Sequence, residues 1–245
     1  MLTEDRLAMI CEFVDRLGSA TLSQIMEHTG ASESTVRRDL GTLDEAGKLS
    51  RVRGGAISNK PTTKDEKITR RRTKNASNKM EVAEYAASLI TDDDFVYLDS
   101  GTTTELMIDK IEAKGAVFVT NSITNLITLT KRGFKVFILG GEYKESTDAV
   151  VGEEAIRNVL KYNFTKGFFG TNGITKKNGF TTPEMKEALM KRAAMENTKD
   201  VYILADSNKF GLISAVKFAD FDKAHIITNR LGDDNYSTYT NITEV

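Results

Sequence analysis

The sequence predicts a two-part α/β chain: a small helical unit ending in a hairpin, then a larger unit built on a mostly parallel sheet covered by helices. Three observations predict it. The length of 245 residues suits one small and one larger domain. Apolar residues in the first 46 positions follow short helical stripes. Beyond residue 79, short apolar runs alternate with helical patterns, the arrangement that gives a parallel sheet with both faces covered.

Composition narrows the function classes. With 40 % hydrophobic and 28 % charged residues and two prolines, the chain can bury a core. Cys11 is the only cysteine, so no intramolecular disulfide forms, and His28 and His225 stand far apart, so no metal cluster is expected. No cofactor is expected. The first twenty residues are too amphipathic for a secretory signal, and no apolar run approaches the ~20 residues that span a bilayer. A cytoplasmic protein without a membrane partner is the expectation.

Taken in order, Leu7, Ile10, Cys11, Val14 and Leu17 mark a first helix that stops at Gly18. Leu22, Ile25 and Met26 mark a shorter second helix, running to His28 and ending at Thr29 and Gly30. Next comes SESTVRRDL, residues 32–40, where Ser32 is a natural N-cap and Val36, Leu40 and Leu43 form the buried stripe. Ser34, Arg37 and Arg38 therefore face away from the core. Then GKLSRVRGGAI, residues 47–57, reads as a hairpin across Arg53-Gly54-Gly55 with Lys48, Arg51 and Arg53 as flanking charges. Two helices joined by a four-residue turn form a helix-turn-helix, and the hairpin is its wing. Ser32, Ser34 and Thr35 can hold a backbone phosphate at the helix start, and Arg37 and Arg38 can reach guanine edges or phosphates. Double-stranded DNA is the expected partner of these residues.

Net charge is −1, but its distribution is uneven. Between Lys60 and Lys79 stand eight basic residues (Lys60, Lys64, Lys67, Arg70, Arg71, Arg72, Lys74, Lys79) and two acids, Asp65 and Glu66. Such a stretch faces phosphate or another acidic surface, or is a solvated linker.

In the larger unit a helical stripe from Lys79 to Ile90 leads to the buried run FVYLD at 95–99; further strands are expected at 117–120, 135–139, 166–170, 201–205 and 224–228. Ligands of such folds bind beyond the carboxyl ends of the strands. The first strand is followed by DSGTTTEL, whose Asp99, Ser100, Gly101, Thr102, Thr103 and Thr104 offer amides and hydroxyls to an anion, phosphate above all. Thr120-Asn121-Ser122, Gly140-Gly141-Glu142, Gly170-Thr171-Asn172-Gly173 and DSNKFG (206–211) follow the later strands. Lys209 can neutralise a phosphate, and Asp99 or Asp206 can accept sugar hydroxyls.

SESTVRRDL followed by GKLSRVRGGAI resembles the winged helix-turn-helix of the DeoR family of bacterial repressors. The resemblance continues through DSGTTT, VTNS, LGG, VGEEA, GTNGI and ADSNKFG. It implies a sensor domain related to ribose-5-phosphate isomerase that binds phosphorylated sugars. Arg53 stands where the family usually has histidine, Lys166 where aspartate is common, and Asn208 where a serine is common. The segment FTTPEMKEALMKRAAMEN, residues 180–197, with TKDVYILADSNKFG, is most similar to the fructose-operon repressors of low-GC Gram-positive bacteria. That similarity implies fructose 1-phosphate or a related phosphofructose as effector, with Glu187 and Lys191 among its contacts. The organisation expected is DNA-binding at 1–58, a basic linker at 59–78 and effector-binding at 79–245, assembled as a homodimer or homotetramer. The alternatives are a sugar-phosphate isomerase-like enzyme, a repressor responding to tagatose or galactose phosphates, and a DNA-binding protein with a purely structural second domain.

Overall fold

A computed structural model of the chain describes residues 2–52, 54–60, 66–231, 236 and 239–245. Arg53, Lys64 and Asp65 lie outside the described residues. The small unit consists of α1 (Thr3–Leu17), β1 (Ser19–Thr21), α2 (Leu22–Thr29), α3 (Glu33–Glu45), β2 (Leu49–Val52) and β3 (Gly55–Ser58). The apolar stripes converge: Ile10, Val14, Ile25, Val36, Leu40, Leu43, Leu49 and Ala56 form one core. β2 and β3 pair antiparallel as the expected wing, and β1 adds a third strand to it. Thr21 and Gln24 form a capping box at the start of α2, and Ser32 caps α3.

The described part of the basic segment folds. Here α4 (Ile68–Thr73) is followed by α5 (Ala76–Ser88), with Asn75 between them in the left-handed region at φ 54°. Asparagine tolerates that conformation better than most residues, and it turns the chain sharply. Arg72 fastens α4 to the larger unit, its Nε 3.0 Å from Glu105 Oε2.

The chain continues with β4 (Phe95–Leu98), α6 (Thr102–Ile108), β5 (Val117–Thr120), α7 (Ile123–Lys131), β6 (Lys135–Ile138), β7 (Glu142–Lys144), β8 (Ala149–Val151), α8 (Glu153–Val159) and β9 (Phe164–Gly170). Then come β10 (Gly173–Thr175), β11 (Gly179–Thr182), α9 (Met185–Glu196), β12 (Thr198–Leu204), β13 (Val216–Ala219), β14 (His225–Thr228) and β15 (Ile242–Glu244). Seven strands form an all-parallel sheet in the order β15-β14-β12-β9-β4-β5-β6. Strand side chains alternate between its two faces. Val96 and Leu98 pack with Val82, Ala86, Met107 and Ile108 of α5 and α6, whereas Tyr97 packs with Ala155, Val159, Met190 and Ala194 of α8 and α9. β10, β11 and β13 make a small antiparallel sheet, and β7 pairs with β8. No helix of the described residues is long and apolar enough to cross a membrane.

The strand order reverses between β4 and β9. From β4 the chain adds β5 and β6 on one side; from β9 it adds β12, β14 and β15 on the other. Loops leaving the carboxyl ends of β4 and β9 therefore diverge and leave a crevice, the usual ligand position in open parallel sheets.

Lys166 lies at the opposite, amino end of these strands. Its Nζ is 2.6 Å from Asp94 Oδ2, and Thr165 Oγ1 donates to Asp94 Oδ1 at 2.7 Å. Burial pushes the Asp94 carboxyl up, but Lys166, the Thr91 amide and the two threonine hydroxyls outweigh it and hold the carboxyl at about 2. A depressed carboxylate contributes stability above its ordinary pKa, and that contribution disappears as pH falls toward 2. The shift corresponds to about 2 kcal/mol. Lys166→Met should cost most of this in urea unfolding at pH 7 and almost nothing near pH 2; an equal loss at both pH values would contradict the assignment.

Candidate functional site

Two surfaces bring functional residues together. On the first, α3 presents Ser32, Ser34, Arg37 and Arg38 to solvent, with Thr35 half-buried and Lys48 and Arg51 exposed beside them. Ser32 Oγ lies 2.9 Å from Thr35 Oγ1 and 3.2 Å from Ser34 Oγ, so the three hydroxyls gather at the helix start. Arg37, Arg51, Val52 and Gly54 line an open groove between α3 and the wing. Arg37 pairs with Glu33 at 2.7 Å, an exposed bond that costs little to exchange for another partner. What holds α3 in place is a residue whose role its sequence position did not reveal. Asp39, buried within the arginine-rich stretch, accepts two bonds from Arg6 of α1, at 2.6 and 3.1 Å.

The second surface is a cleft at the sheet reversal. Gly101, Thr102 and Thr103 line it after β4, Gly170 and Thr171 after β9, and Ala205, Asp206 and Lys209 after β12. The two glycines lie close together: a Cβ on Gly101 would sit 3.8 Å from Gly170 Cα, and one on Gly170 would sit 3.7 Å from Asp99 Oδ2, both ordinary contact distances. Thr102 and Thr103 have hydroxyls with no side-chain hydrogen bond among the described residues. The remaining wall comes from the connector between the two units: Glu66, Arg71, Lys74, Asn75 and Lys79.

The other residues expected around an effector do not line the cleft, and each has a structural partner. Asp99 and Lys191 form a buried ion pair, and Asp99 Oδ2 also accepts the Gly170 amide at 3.0 Å. Ser100 donates its amide to Asn121 Oδ1 at 3.0 Å, and Thr104 Oγ1 donates to the carbonyl of Asp99 at 2.7 Å. Thr120 Oγ1 donates to the Leu98 carbonyl at 2.7 Å. Gly140 and Gly141 turn the chain toward β7; a methyl on Gly141 would meet Val151 O at 2.8 Å. Glu187 accepts Lys144 Nζ and Thr147 Oγ1, both at 2.7 Å. β5 and β6 lie on the far side of β4 from β9, and the β5 loop supports the β4 loop through Asn121 without lining the cleft.

The cleft carries four cationic side chains, Arg71, Lys74, Lys79 and Lys209, against the carboxylates of Glu66 and Asp206. Asp206 is already engaged: its Oδ1 accepts Asn75 Nδ2 at 2.9 Å and both the amide and the Nδ2 of Asn208 at 3.2 and 3.1 Å. Lys79 is buried, donating to the Arg71 carbonyl. Burial lowers the Lys79 ammonium to about 8; Asp206 opposes this, and Lys209, Arg71 and Lys74 reinforce it. Lys209 is lowered too, by burial first, with Asp206 opposing and Arg71 and Lys74 reinforcing. Cations crowded together and partly desolvated in this way are stabilised by a nearby anion.

Comparison with known proteins identifies both units. Residues 6–62 match the DeoR-like helix-turn-helix domain, and residues 74–230 match the DeoR C terminal sensor domain. The chain is 40 % identical over 244 residues to the uncharacterized HTH-type transcriptional regulator FruR of Bacillus subtilis (strain 168), covering 98 % of this chain and 97 % of that protein. It is 34 % identical over 212 residues to the lactose phosphotransferase system repressor of Staphylococcus epidermidis, covering 84 % of each. Among solved structures, ribose 5-phosphate isomerase A of Methanocaldococcus jannaschii is 15 % identical with a TM-score of 0.42, covering 56 % of this chain and 55 % of that one.

The ammonium of Lys79 should destabilise the ligand-free chain. A lysine depressed to about 8 carries its full penalty below pH 8, and the penalty fades as pH rises toward its ordinary value near 10.5. Lys79→Met should therefore raise stability at pH 7 by up to about 3 kcal/mol, with the gain shrinking as pH rises through 8 to 10. A loss of stability at pH 7 in urea unfolding would contradict this.

Proposed function

Because this chain belongs to the DeoR family of transcriptional regulators, we propose that it represses a sugar-utilisation operon, that of fructose, and leaves its double-stranded operator when a phosphorylated sugar such as fructose 1-phosphate binds. The observation that carries the proposal is the cleft at the sheet reversal, where four cations face two carboxylates. A dianionic phosphate supplies a counter-charge to Lys79 and Lys209. Thr102 and Thr103 supply hydroxyl donors, Lys209 a charge-assisted partner, and Asp206 an acceptor for sugar hydroxyls. The likeness to FruR supports fructose, with tagatose or galactose phosphates as the alternative effectors.

On the DNA side, Ser32, Ser34 and Thr35 fix α3 on a backbone phosphate, and Arg37 and Arg38 enter the major groove. Lys48 and Arg51, with Arg53, lie along the flanking backbone. One winged unit covers too little DNA for tight selective binding, so the working assembly is a homodimer or homotetramer reading repeated half-sites.

Regulation is favoured over catalysis by a specific arrangement. An isomerase needs a free base beside the acidic carbon of its substrate. Here Asp99 is bound to Lys191 and the Gly170 amide, and Asp206 Oδ1 to three donors. The relatives compared are also named regulators and repressors.

A thermal-shift panel of phosphosugars tests the proposal. Fructose 1-phosphate at a hundred times its dissociation constant should add ~2.7 kcal/mol, and a panel without any shift would refute the sensor role. For the recognition helix, Arg38→Ala should leave the fold intact and cost about 1 to 3 kcal/mol of operator binding if the side chain reads a base. If it contacts phosphate, binding to all sequences should weaken equally and the salt slope should fall by ~1. Unchanged affinity and salt slope would remove Arg38 from the interface.

A further inference from the structure

The two edges of the parallel sheet differ. At β15, Ile242 and Thr243 are half-buried, whereas at β6 Lys135, Phe137 and Ile138 are exposed, the last two at 40 % and 38 %. Soluble proteins usually guard such an edge with charges or prolines, because its free amides and carbonyls pair readily with another strand. β6 carries its only charge at its first residue and leaves its apolar end open. We propose that β6 is the self-association surface of the sensor, where the same strand of a second copy of this chain pairs antiparallel about a two-fold axis at Phe137. This inference rests on the homo-oligomer reading above and names its surface.

The backbone fixes the register. The Leu139 amide donates to the Thr120 carbonyl at 3.0 Å, so Leu139, and Phe137 two residues before it, turn their backbone groups to β5. Backbone groups alternate sides along a strand, which leaves those of Val136 and Ile138 facing outward. In an antiparallel copy centred on Phe137, each Val136 exchanges both its bonds with the Ile138 opposite. The two Phe137 residues then meet as a non-hydrogen-bonded pair, whose side chains approach most closely. A centre at Phe137 is the one that pairs both outward residues of this 4-residue strand.

Apolar side chains gather at this edge on both faces. Phe137 has its ring 6.4 Å from that of Tyr162, and Leu160 is exposed at the end of α8 two residues away. Val136 shares the opposite core with Leu129 of α7, and α7 exposes Ile127. Charge favours the antiparallel sense. Lys131 and Lys135 are exposed at the entry to β6. Beyond its end Glu142 is exposed beside Gly152, where a Cβ would lie 4.0 Å from Glu142 Oε2, and Glu153 and Glu154 follow in the first turn of α8. Antiparallel pairing sets the basic entry of one copy toward the acidic exit of the other. The pairs of Glu142 with Lys186 and Glu153 with Arg157 are exposed and exchange at little cost. A self-complementary patch closes as a dimer, and its two-fold symmetry suits paired operator half-sites.

The test uses the full chain. Light scattering at micromolar concentration should show wild type as an oligomer. Phe137→Glu puts two carboxylates on the axis, and Ile138→Pro removes an outward amide while sparing those that face β5. Each should give monomers, or dimers if wild type is a tetramer, with a native circular dichroism spectrum. Tyr85→Glu, on α5 and 38 % exposed, should leave assembly unchanged. A cross-link reads the register even if those variants fail to fold. With Cys11→Ser removing the native thiol, Phe137→Cys should form a disulfide-linked dimer under mild oxidation, and Ile138→Cys should not, because Val136 stands opposite it. If wild type is oligomeric but no cross-link forms at position 137 and the folded variants keep wild-type size, the edge is not the interface and the homo-oligomer reading stands. If wild type is a monomer with and without operator DNA, both fall.

Discussion

The reversal of strand order between β4 and β9 is the constraint on which the sensor depends. It opens a crevice that loops of β4, β9 and β12 can share, and the loops of β5 and β6 do not line it. Gly101 and Gly170 occupy the two lips, one after β4 and one at the end of β9. The buried Asp99–Lys191 pair then acts as a floor that ties the β4 loop to α9. Breaking such a pair by removing one partner leaves a buried charge uncompensated, so it is a fixture and not a group free to exchange ligands.

Above that floor several cations of the described residues stand close together. Lys79 and Lys209 are both pushed toward the neutral form, first by burial and then by neighbouring cations, with Asp206 as the main restraint. A chain selected only for stability would not retain that arrangement, because removing one buried cation is an easy gain. An anion bound among them would offset that repulsion, as the proposed phosphosugar does. That difference is the free energy available for switching, since a ligand moves an equilibrium only by its unequal affinity for the two states.

Much of this was legible in the residues. The stripes Ile10-Val14, Val36-Leu40-Leu43 and the hairpin residues Leu49 and Ala56 place the small unit because helical period three to four and strand period two are local properties. FVYL and its successors announced buried strands for the same reason. Strand order is not local, so the sequence could show polar loops after five strands without showing which of them meet: Thr120, Gly140 and Gly141 look no different in sequence from Gly101 and Lys209. Glu187 and Lys191 turn their charges to Lys144 and Asp99 on α9's buried side, which only the packing reveals. The connector carried a usable sign, Arg71, Asn75 and Lys79 at i, i+4 and i+8, but its excess charge alone fits DNA, solvent and an internal anion equally well. Asp39 is hidden in the same way, because its partner Arg6 lies on another helix.

The central claim is that operator and phosphosugar compete for the arrangement of one chain. The most direct measurement is the operator affinity of the full chain at increasing fructose 1-phosphate, paired with the fructose 1-phosphate affinity of the free and operator-bound chain. The account predicts a fall in operator affinity of roughly 5- to 150-fold and an equal factor in the reverse experiment, as linkage requires. Saturating, calorimetrically verified binding of fructose 1-phosphate with operator affinity unchanged would contradict it.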